Sequence, residues 1–199
     1  MHFILKTTIT KSEVNELPLN KFEGEIVIVE SAKQIVDAVD EINLENIIGI
    51  DTETRPTFTK GIFNKTALIQ IATEKKVYLF RVNKIGMPRE LTDILENTKI
   101  KKIGIAILQD MKELSDQYHS FHHNNVIDLN VLCKKLNFTN IGARNLSAMI
   151  LGFRISKRQQ TSNWEAASLS ESQLRYAATD AWICRKIFLI LYNNKDFKI

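Results

Sequence analysis

The chain has 199 residues, of which 44% are hydrophobic and 25% are charged, and its formal net charge is +4. This composition is that of a globular protein. The length fits one domain that can bury a core without the help of disulfide bonds or metal ions. The two cysteines, Cys133 and Cys184, stand far apart and outside any pairing or ligand motif, which favours a reducing, intracellular setting. The first apolar run is too short for a signal peptide, and no stretch approaches a membrane span. We therefore expect a cytoplasmic protein, whose mild positive charge is compatible with a polyanionic partner but does not require one.

The N-terminal part of the chain lacks a clear pattern, and we interpret residues 1–20 as an arm that precedes a single domain of residues 21–199. The apolar run Glu25–Val29 predicts the first strand of that domain. Ser31 is then expected to begin a helix, because Gln34 three residues later completes a capping-box pattern.

The remaining elements follow in chain order, with strands early and helices late. Short apolar runs predict strands over Ile47–Asp51, Ala67–Ala72, Val77–Phe80 and Lys102–Ile107. Helical spacing of apolar residues predicts helices over Pro88–Glu96, Asp110–Tyr118, Leu129–Leu136, Leu146–Leu151 and Glu171–Tyr192. This order indicates a mixed α/β domain in which helices cover a sheet.

Two acids, Asp51 and Glu53, stand at the end of a buried-looking strand. Residues i and i+2 of a strand point to the same side, so we expect both carboxylates to project together at a sheet edge. Carboxylates this close repel each other unless a cation lies between them, and Mg²⁺ commonly binds such oxygens. The alternative, which is the commoner one for a lone pair of acids, is a strand end where both are solvated.

The last predicted helix carries Tyr176 and Asp180 four residues apart, and therefore on one face. The flanking Ala177, Ala178 and Ala181 are small enough to let this helix approach other backbone closely. The alternative is a core tyrosine with a surface aspartate, which amphipathic helices often produce. A further acid, Asp110, follows a predicted strand near a helix start, where it could equally be an N-cap or a partner of the helix dipole.

Together, the four acids and Tyr176 stand in the order and context of the DEDD exonucleases. The chain resembles their tyrosine-containing branch, which includes ribonuclease D and the exonuclease domain of the Werner syndrome helicase. The resemblance covers roughly residues 25–191. It is carried by IGIDTET with ALIQIA after it, by KIGIAILQDMKEL, by NLSAMILGF and by TSNWEAASLSESQLRYAATDAW. The branch with a catalytic histidine would have His directly before Tyr176, where this chain has Arg175.

The resemblance implies a ribonuclease H-like α/β fold, with a central mixed β-sheet flanked by helices. It also implies a 3′→5′ exonuclease that uses two divalent cations, Mg²⁺ or Mn²⁺, and releases nucleoside 5′-monophosphates from the 3′ ends of DNA or RNA. By analogy, Asp51 binds both cations, Glu53 and Asp180 complete the inner one, and Asp110 supports the outer one. Tyr176 would orient the attacking water.

Four further residues are predicted to contact nucleic acid: Thr52, Lys157, Arg158 and Trp164. The two cations could bind phosphates, and Trp164 could support the wall of the site. The alternative for the last three is a solvated loop and a packed tryptophan.

The loop after the first acidic motif departs from the family, because Arg55-Pro56 stands where many relatives carry an aromatic residue. Phe58 and Phe63, beside Lys60 and Lys65, could stack on bases or anchor this loop. The sequence carries no helicase motif, so we expect a separate helicase or nucleic-acid-processing partner.

Several other patterns predict no chemistry. His119, His122 and His123 cluster, but a zinc site would need further ligands at defined spacing. Asp128 ends the short run VID, and we expect it to cap the following helix. There is no Gly-rich phosphate loop, G-x-S-x-G motif or CxxC pair. The rival to an enzyme is a non-catalytic nucleic-acid-binding module of the same fold, which we would expect to have lost at least one of the acids.

Overall fold

The computed structural model describes residues 6–59, 61, 64–118 and 121–194. Within these ranges the strands are β1 (Glu25–Val29), β2 (Ile47–Thr54), β3 (Thr66–Ala72), β4 (Lys76–Phe80), β5 (Lys101–Gly104) and β6 (Val126–Asp128). The helices are α1 (Lys11–Glu16), α2 (Ala32–Ile42), α3 (Val82–Ile85), α4 (Arg89–Glu96), α5 (Ile107–Gln117), α6 (Leu129–Lys135), α7 (Ala143–Leu146) and α8 (Glu171–Asn193). A π-helical segment, Ser147–Leu151, continues α7.

The six strands form one mixed sheet in the order β1-β4-β3-β2-β5-β6. β3 runs antiparallel to β2 and to β4, whereas the pairs β1–β4, β2–β5 and β5–β6 are parallel. Helices flank the sheet on both faces, and every residue of β3 is buried as a result. The predicted α/β architecture is confirmed.

The two faces of the sheet have different partners because side chains alternate along each strand. On one face, Ile48 and Ile50 of β2 and Ile69 and Ile71 of β3 are fully buried. They share one apolar cluster with residues of α2, α4 and α5. On the opposite face, Leu68 of β3 lies in a cluster with the three alanines of α8. Asp51 and Glu53, which alternate with Ile48 and Ile50 along β2, therefore lie on the face that α8 covers.

The predicted start of α2 is confirmed. The Ser31 side chain accepts a hydrogen bond from the backbone N–H of Gln34. The Gln34 side-chain oxygen accepts from the backbone N–H of Glu30 at 3.0 Å, one residue earlier than a standard capping box requires. The backbone N–H groups of Glu30 and Gln34 are thus both satisfied by side chains.

The strand predicted over Lys102–Ile107 is too long, because β5 ends at Gly104. The chain reverses at Ala106, whose φ of 58° lies in the left-handed region. Asp128, at the end of β6, accepts hydrogen bonds from the backbone N–H groups of Ala106 at 3.1 Å and Leu108 at 3.3 Å. A distant carboxylate therefore stabilises the start of α5, and a local apolar pattern could not show this.

The part of the predicted arm that the structure describes lies against the domain. It contains α1, which the sequence did not predict, and the α1 residue Val14 is 2% exposed. Arg154 pairs with the following segment through backbone hydrogen bonds to Pro18 and from Asn20, both 2.9 Å long. The domain boundary at residue 20 stays a prediction.

The last helix, α8, is 23 residues long and packs across the sheet. Along the described ranges, no helix combines the length and apolar character needed to cross a membrane. The predicted base-stacking Phe63, its neighbour Lys60, and His119 of the histidine cluster lie outside the described residues.

Candidate active site

Asp51 and Glu53 lie in the second half of β2, on the α8 face. β2 is an interior strand rather than an edge strand, which corrects the expectation of a sheet edge. However, β5 pairs with β2 only as far as Gly49, while β3 continues beside β2 to Thr54. The acids therefore project where one neighbouring strand has already ended, and this leaves room for a cavity.

Tyr176 and Asp180 lie on the face of α8 that meets β2. Ala177, Ala178 and Ala181 are fully buried, as the prediction of a close approach requires. The closest approach is at Gly49 of β2, where an added Cβ would lie 2.0 Å from the backbone oxygen of Ala181. Helix and strand thus meet backbone to backbone, which brings Asp180 to the acids of β2.

Three of the four predicted acids come together. One carboxylate oxygen from each of Asp51, Glu53 and Asp180 lies within 4.8 Å of the other two. These side chains line a cavity of about 320 Å³ together with Tyr176 and Lys157. Two chain segments far apart in sequence thus supply a single acidic centre.

Asp110 lies outside this group of three among the described residues. It occupies the first turn of α5, near a helix start as predicted, and α5 begins three residues before the predicted start because β5 is shorter than predicted. Its charge nevertheless contributes to raising the pKa of Asp51 and of Glu53. Asp128 caps α6, as predicted, by accepting from the backbone N–H of Asn130 at 2.8 Å. Through its bonds to the start of α5, it also fixes the helix that carries Asp110.

Burial raises the pKa of all four acids, and neighbouring carboxylates add to the effect for three of them. The pKa of Glu53 rises to about 10 through burial and then the charges of Asp51, Asp180 and Asp110. Burial and then Asp180 and Asp110 raise the pKa of Asp51 well above its usual range. The pKa of Asp110 rises to about 7 through burial, with a contribution from nearby acids, and that of Asp180 to about 7 through burial. The centre therefore stores electrostatic repulsion that a cation would relieve.

Tyr176 is hydrogen-bonded to Asp180, and this bond lowers the pKa of Asp180. The charge of Lys157 acts in the same direction. Burial, and then the charges of Asp180 and Glu53, raise the pKa of the Tyr176 phenol. The phenol accordingly keeps its proton at neutral pH and can act as a hydrogen-bonding group.

The centre fits divalent cations. Carboxylate oxygens are the ligands that Mg²⁺ and Mn²⁺ prefer, and three of them converge here. Gln70 lies directly opposite Asp51 in the β2–β3 register and is fully buried. Both polar atoms of the Gln70 side chain lack a hydrogen-bond partner among the described residues. Such orphaned polar atoms beside clustered acids indicate a centre that is completed by further polar groups.

The four predicted nucleic-acid contacts occupy different places. Thr52 and Lys157 line the cavity that Asp51, Glu53 and Asp180 form. Arg158 is exposed and lines a neighbouring cavity that shares Tyr176 and Asp180 with it. Trp164 is fully buried and cannot touch a strand, which corrects that prediction. Its ring centroid lies 6.0 Å from that of Tyr176, so it packs behind the Tyr176 side chain.

The loop after β2 is anchored by an ion pair between Arg55 and Glu165, 3.2 Å long. Phe58, in the same loop, is 91% exposed, so it does not anchor the loop by packing. The sequence interpretation missed several residues that line the cavities, notably Lys11, Lys21 and Arg144. The only local signal was their positive charge, which many solvated surface residues share.

The model of the 3′–5′ exonuclease family matches residues 26–195. A candidate 3′–5′ exonuclease of Acanthamoeba polyphaga mimivirus is 31% identical over 194 residues, covering 86% of this chain and 48% of that protein. The mouse bifunctional 3′–5′ exonuclease/ATP-dependent helicase WRN is 30% identical over 201 residues, covering 96% of this chain and 14% of its own length. The chain thus spans half or less of these two relatives.

Solved structures show the same fold. The Nibbler EXO domain of Aedes aegypti superposes with a TM-score of 0.80 at 22% identity, covering 88% of this chain and 92% of that one. Trypanosoma brucei RNase D, in complex with RNA U12, superposes with a TM-score of 0.77 at 20% identity, covering 94% of this chain and 67% of that one. The fold is therefore ribonuclease H-like, and the chain belongs to the 3′–5′ exonuclease family.

Proposed function

We propose that this chain is a metal-dependent 3′→5′ exonuclease that hydrolyses the terminal phosphodiester of DNA or RNA and releases nucleoside 5′-monophosphates. One observation carries the proposal: carboxylates from β2 and α8 lie within 4.8 Å of one another. Tyr176, on the same helix face as Asp180, lines the cavity that they form. Membership of the 3′–5′ exonuclease family supports this reaction.

The proposed reaction exchanges one phosphorus–oxygen bond for another. The oxygen of a water molecule attacks the terminal phosphodiester, and the bond from phosphorus to the 3′ oxygen of the preceding nucleotide breaks. That oxygen takes up a proton and becomes the new 3′-hydroxyl of the strand. The phosphate leaves on the 5′ carbon of the released nucleotide.

Each predicted side chain has a part in this reaction. Asp51, Glu53, Asp110 and Asp180 would hold two divalent cations, Mg²⁺ or Mn²⁺, which when bound stabilise charge on the attacking and leaving oxygens. Tyr176 would orient the attacking water through its hydroxyl, as a phenol with a raised pKa can do without losing its proton.

The proposed partner is the 3′ end of a nucleic-acid strand. Among relatives of this fold, Trypanosoma brucei RNase D is known with RNA U12, and the mouse relative unites an exonuclease and a helicase in one chain. We extend the proposal to a separate helicase or processing protein as a partner, and to a cytoplasmic location. Sparse cysteine usage favours that location, and both cysteines are free and buried.

The test is a digestion of 5′-labelled single-stranded, duplex and recessed DNA and RNA with Mg²⁺ or Mn²⁺. We expect a ladder that shortens from the 3′ end, mononucleotide products, and no digestion in a chelator. Asp51→Asn should lower the rate by several orders of magnitude because it removes a central acid, whereas Asp40→Asn, on the exposed side of α2, should leave it unchanged. Digestion in chelator would contradict the proposal, and strand binding without any cleavage would favour the non-catalytic module.

A further inference from the structure

Two further cavities adjoin the cavity lined by Asp51, Glu53, Tyr176 and Asp180, which we call the catalytic cavity. A second cavity, of about 370 Å³, shares Gly142 and Lys157 with it. A third cavity, of about 380 Å³, shares Ser156, Tyr176 and Asp180 with it. The acidic centre therefore lies between two spaces, each large enough to receive part of a bound strand.

The second cavity is basic. Its charged residues are Lys11, Arg144 and Lys157, and no carboxylate lines it among the described residues. In the described ranges, none of these three side chains forms an ion pair. Lys11 and Lys157 are exposed, and the Arg144 guanidinium is held in place by a 2.7 Å hydrogen bond to the side chain of Asn15. Three cations, of which Lys157 also lines the cavity of the acids, make a site for phosphate groups.

The third cavity is different in character. Neutral polar side chains, including Ser156, Gln159 and Ser172, line it, and its cations Lys21, Arg158 and Arg175 share it with the carboxylates Glu171 and Asp180. Its Arg175 guanidinium is engaged by the backbone oxygens of Phe22 and Gly24. Hydroxyl and amide groups of this kind suit the hydroxyls and base edges of a nucleoside rather than a run of phosphates.

The chemistry of a strand end decides which cavity receives which part of the substrate. Beyond the bond that is cut, the 3′ side holds one nucleoside with a free hydroxyl and no further phosphate. Every nucleotide on the 5′ side adds one more phosphate. The basic cavity, which no described carboxylate lines, therefore finds its phosphate ligands on the 5′ side.

We propose that the cavity lined by Lys11, Arg144 and Lys157 binds the backbone phosphates of a single strand on the 5′ side of the bond that is cut. This inference rests on the proposed exonuclease function. It makes α1 and the N-terminal segment, which the sequence presented as an arm, one wall of the substrate channel.

The test compares Lys11→Glu and Arg144→Gln with the control Lys33→Glu, which changes an exposed lysine in the first turn of α2. Two substrates are used: a dinucleotide with a 5′-hydroxyl, which has no phosphate upstream of its single bond, and a ten-nucleotide strand. We expect kcat/KM for the longer strand to fall by about 5- to 10-fold in both variants, with the dinucleotide and the control unchanged. The slope of log affinity against log salt should fall by about 0.7 for each lost phosphate contact.

Fluorescence anisotropy of the labelled ten-nucleotide strand in chelator provides a readout that does not depend on activity. The variants should bind it about 5- to 10-fold more weakly than the wild type and the control. Equal losses on the dinucleotide and the longer strand, or no loss on either, would overturn the inference. A wild-type protein that cuts neither substrate would refute the proposed function, while the anisotropy comparison would still decide whether this surface binds the strand.

Discussion

At the scale of single residues, the raised pKa values of the acids tie the stability of the protein to pH. A carboxyl whose pKa is higher in the folded than in the unfolded state binds more protons when folded. Its contribution to stability is present below the unfolded pKa, near 4, and is lost as pH rises through the folded pKa. Asp110 and Asp180, each with a folded pKa of about 7, place this loss between about pH 4 and pH 8.

We therefore predict that, in a chelator, the free energy of unfolding falls as pH rises from 5 to 8. Asp180→Asn removes one of the titrating charges at nearly constant shape, so its decline should be shallower and its stability at pH 8 higher than that of the wild type. Denaturant unfolding at several pH values measures this, with Asp40→Asn as the control. A wild-type decline that Asp180→Asn leaves unaltered would show that Asp180 does not belong to the coupled centre.

The proposed catalytic role of Tyr176 depends on its hydroxyl, whereas its packing depends on the ring. Tyr176→Phe keeps the ring that packs on Trp164 but removes the hydroxyl that is proposed to orient the attacking water. We expect kcat to fall by about 10²- to 10⁴-fold while KM changes little. Steady-state kinetics with a labelled strand measure both constants. A variant with unchanged kcat would assign Tyr176 a structural part only.

At the scale of elements, the contact between α8 and β2 is made at Gly49 without an intervening side chain. An added Cβ there would lie 2.0 Å from the Ala181 oxygen and 3.0 Å from the Arg185 nitrogen, and both of these are backbone atoms. Backbone cannot rotate away as a side chain can. The absence of a side chain at Gly49 therefore permits the close packing of α8 on β2 that brings Asp180 near Asp51.

Gly49→Ala should therefore push α8 away from β2. We expect it to lower the free energy of unfolding by about 3 kcal/mol or more, the upper end of the range for overpacked sites. Gly142→Ala is the matched control, because its added Cβ would meet nothing within 4 Å and its φ is −68°. Denaturant unfolding compares the two, with a large loss of stability expected in Gly49→Ala alone, and the activity of Gly49→Ala is compared with that of the wild type at a temperature where the variant is still folded. Equal stability of both variants would mean that the helix can shift at little cost.

The elements of the site differ in how far the sequence could predict them. The pairs Asp51–Glu53 and Tyr176–Asp180 follow local periods of two and about four residues, so their shared faces were predictable. Asp110 lies near a helix start, as predicted, but α5 begins at Ile107 rather than at Asp110 because its start depends on Asp128, which belongs to another strand. A cap supplied from 22 residues away leaves no trace in the local pattern.

At the scale of the whole molecule, the periodicity of apolar residues predicted neither the helix in the N-terminal segment nor the place where that segment lies. α1 is six residues long and has one buried residue, Val14, so its apolar pattern is too weak to detect. Its position comes from long-range bonds instead, such as those of Arg154 to Leu17 and of Arg144 to Asn15. Lys11 reaches the basic cavity only because these bonds exist, and no spacing rule could have placed it there.

The acidic centre also links the binding of cations to the binding of a strand end. The chain is positive overall, at +4, yet three carboxyl groups converge where the proposed strand end would lie. Cations held by these carboxyl groups would attract the phosphate of the strand, which the carboxyl groups alone would not. Strand and cations are thus thermodynamically coupled, and reciprocity requires each to raise the affinity of the other by the same factor. A protein built in this way would hold its cations weakly until a strand end arrives.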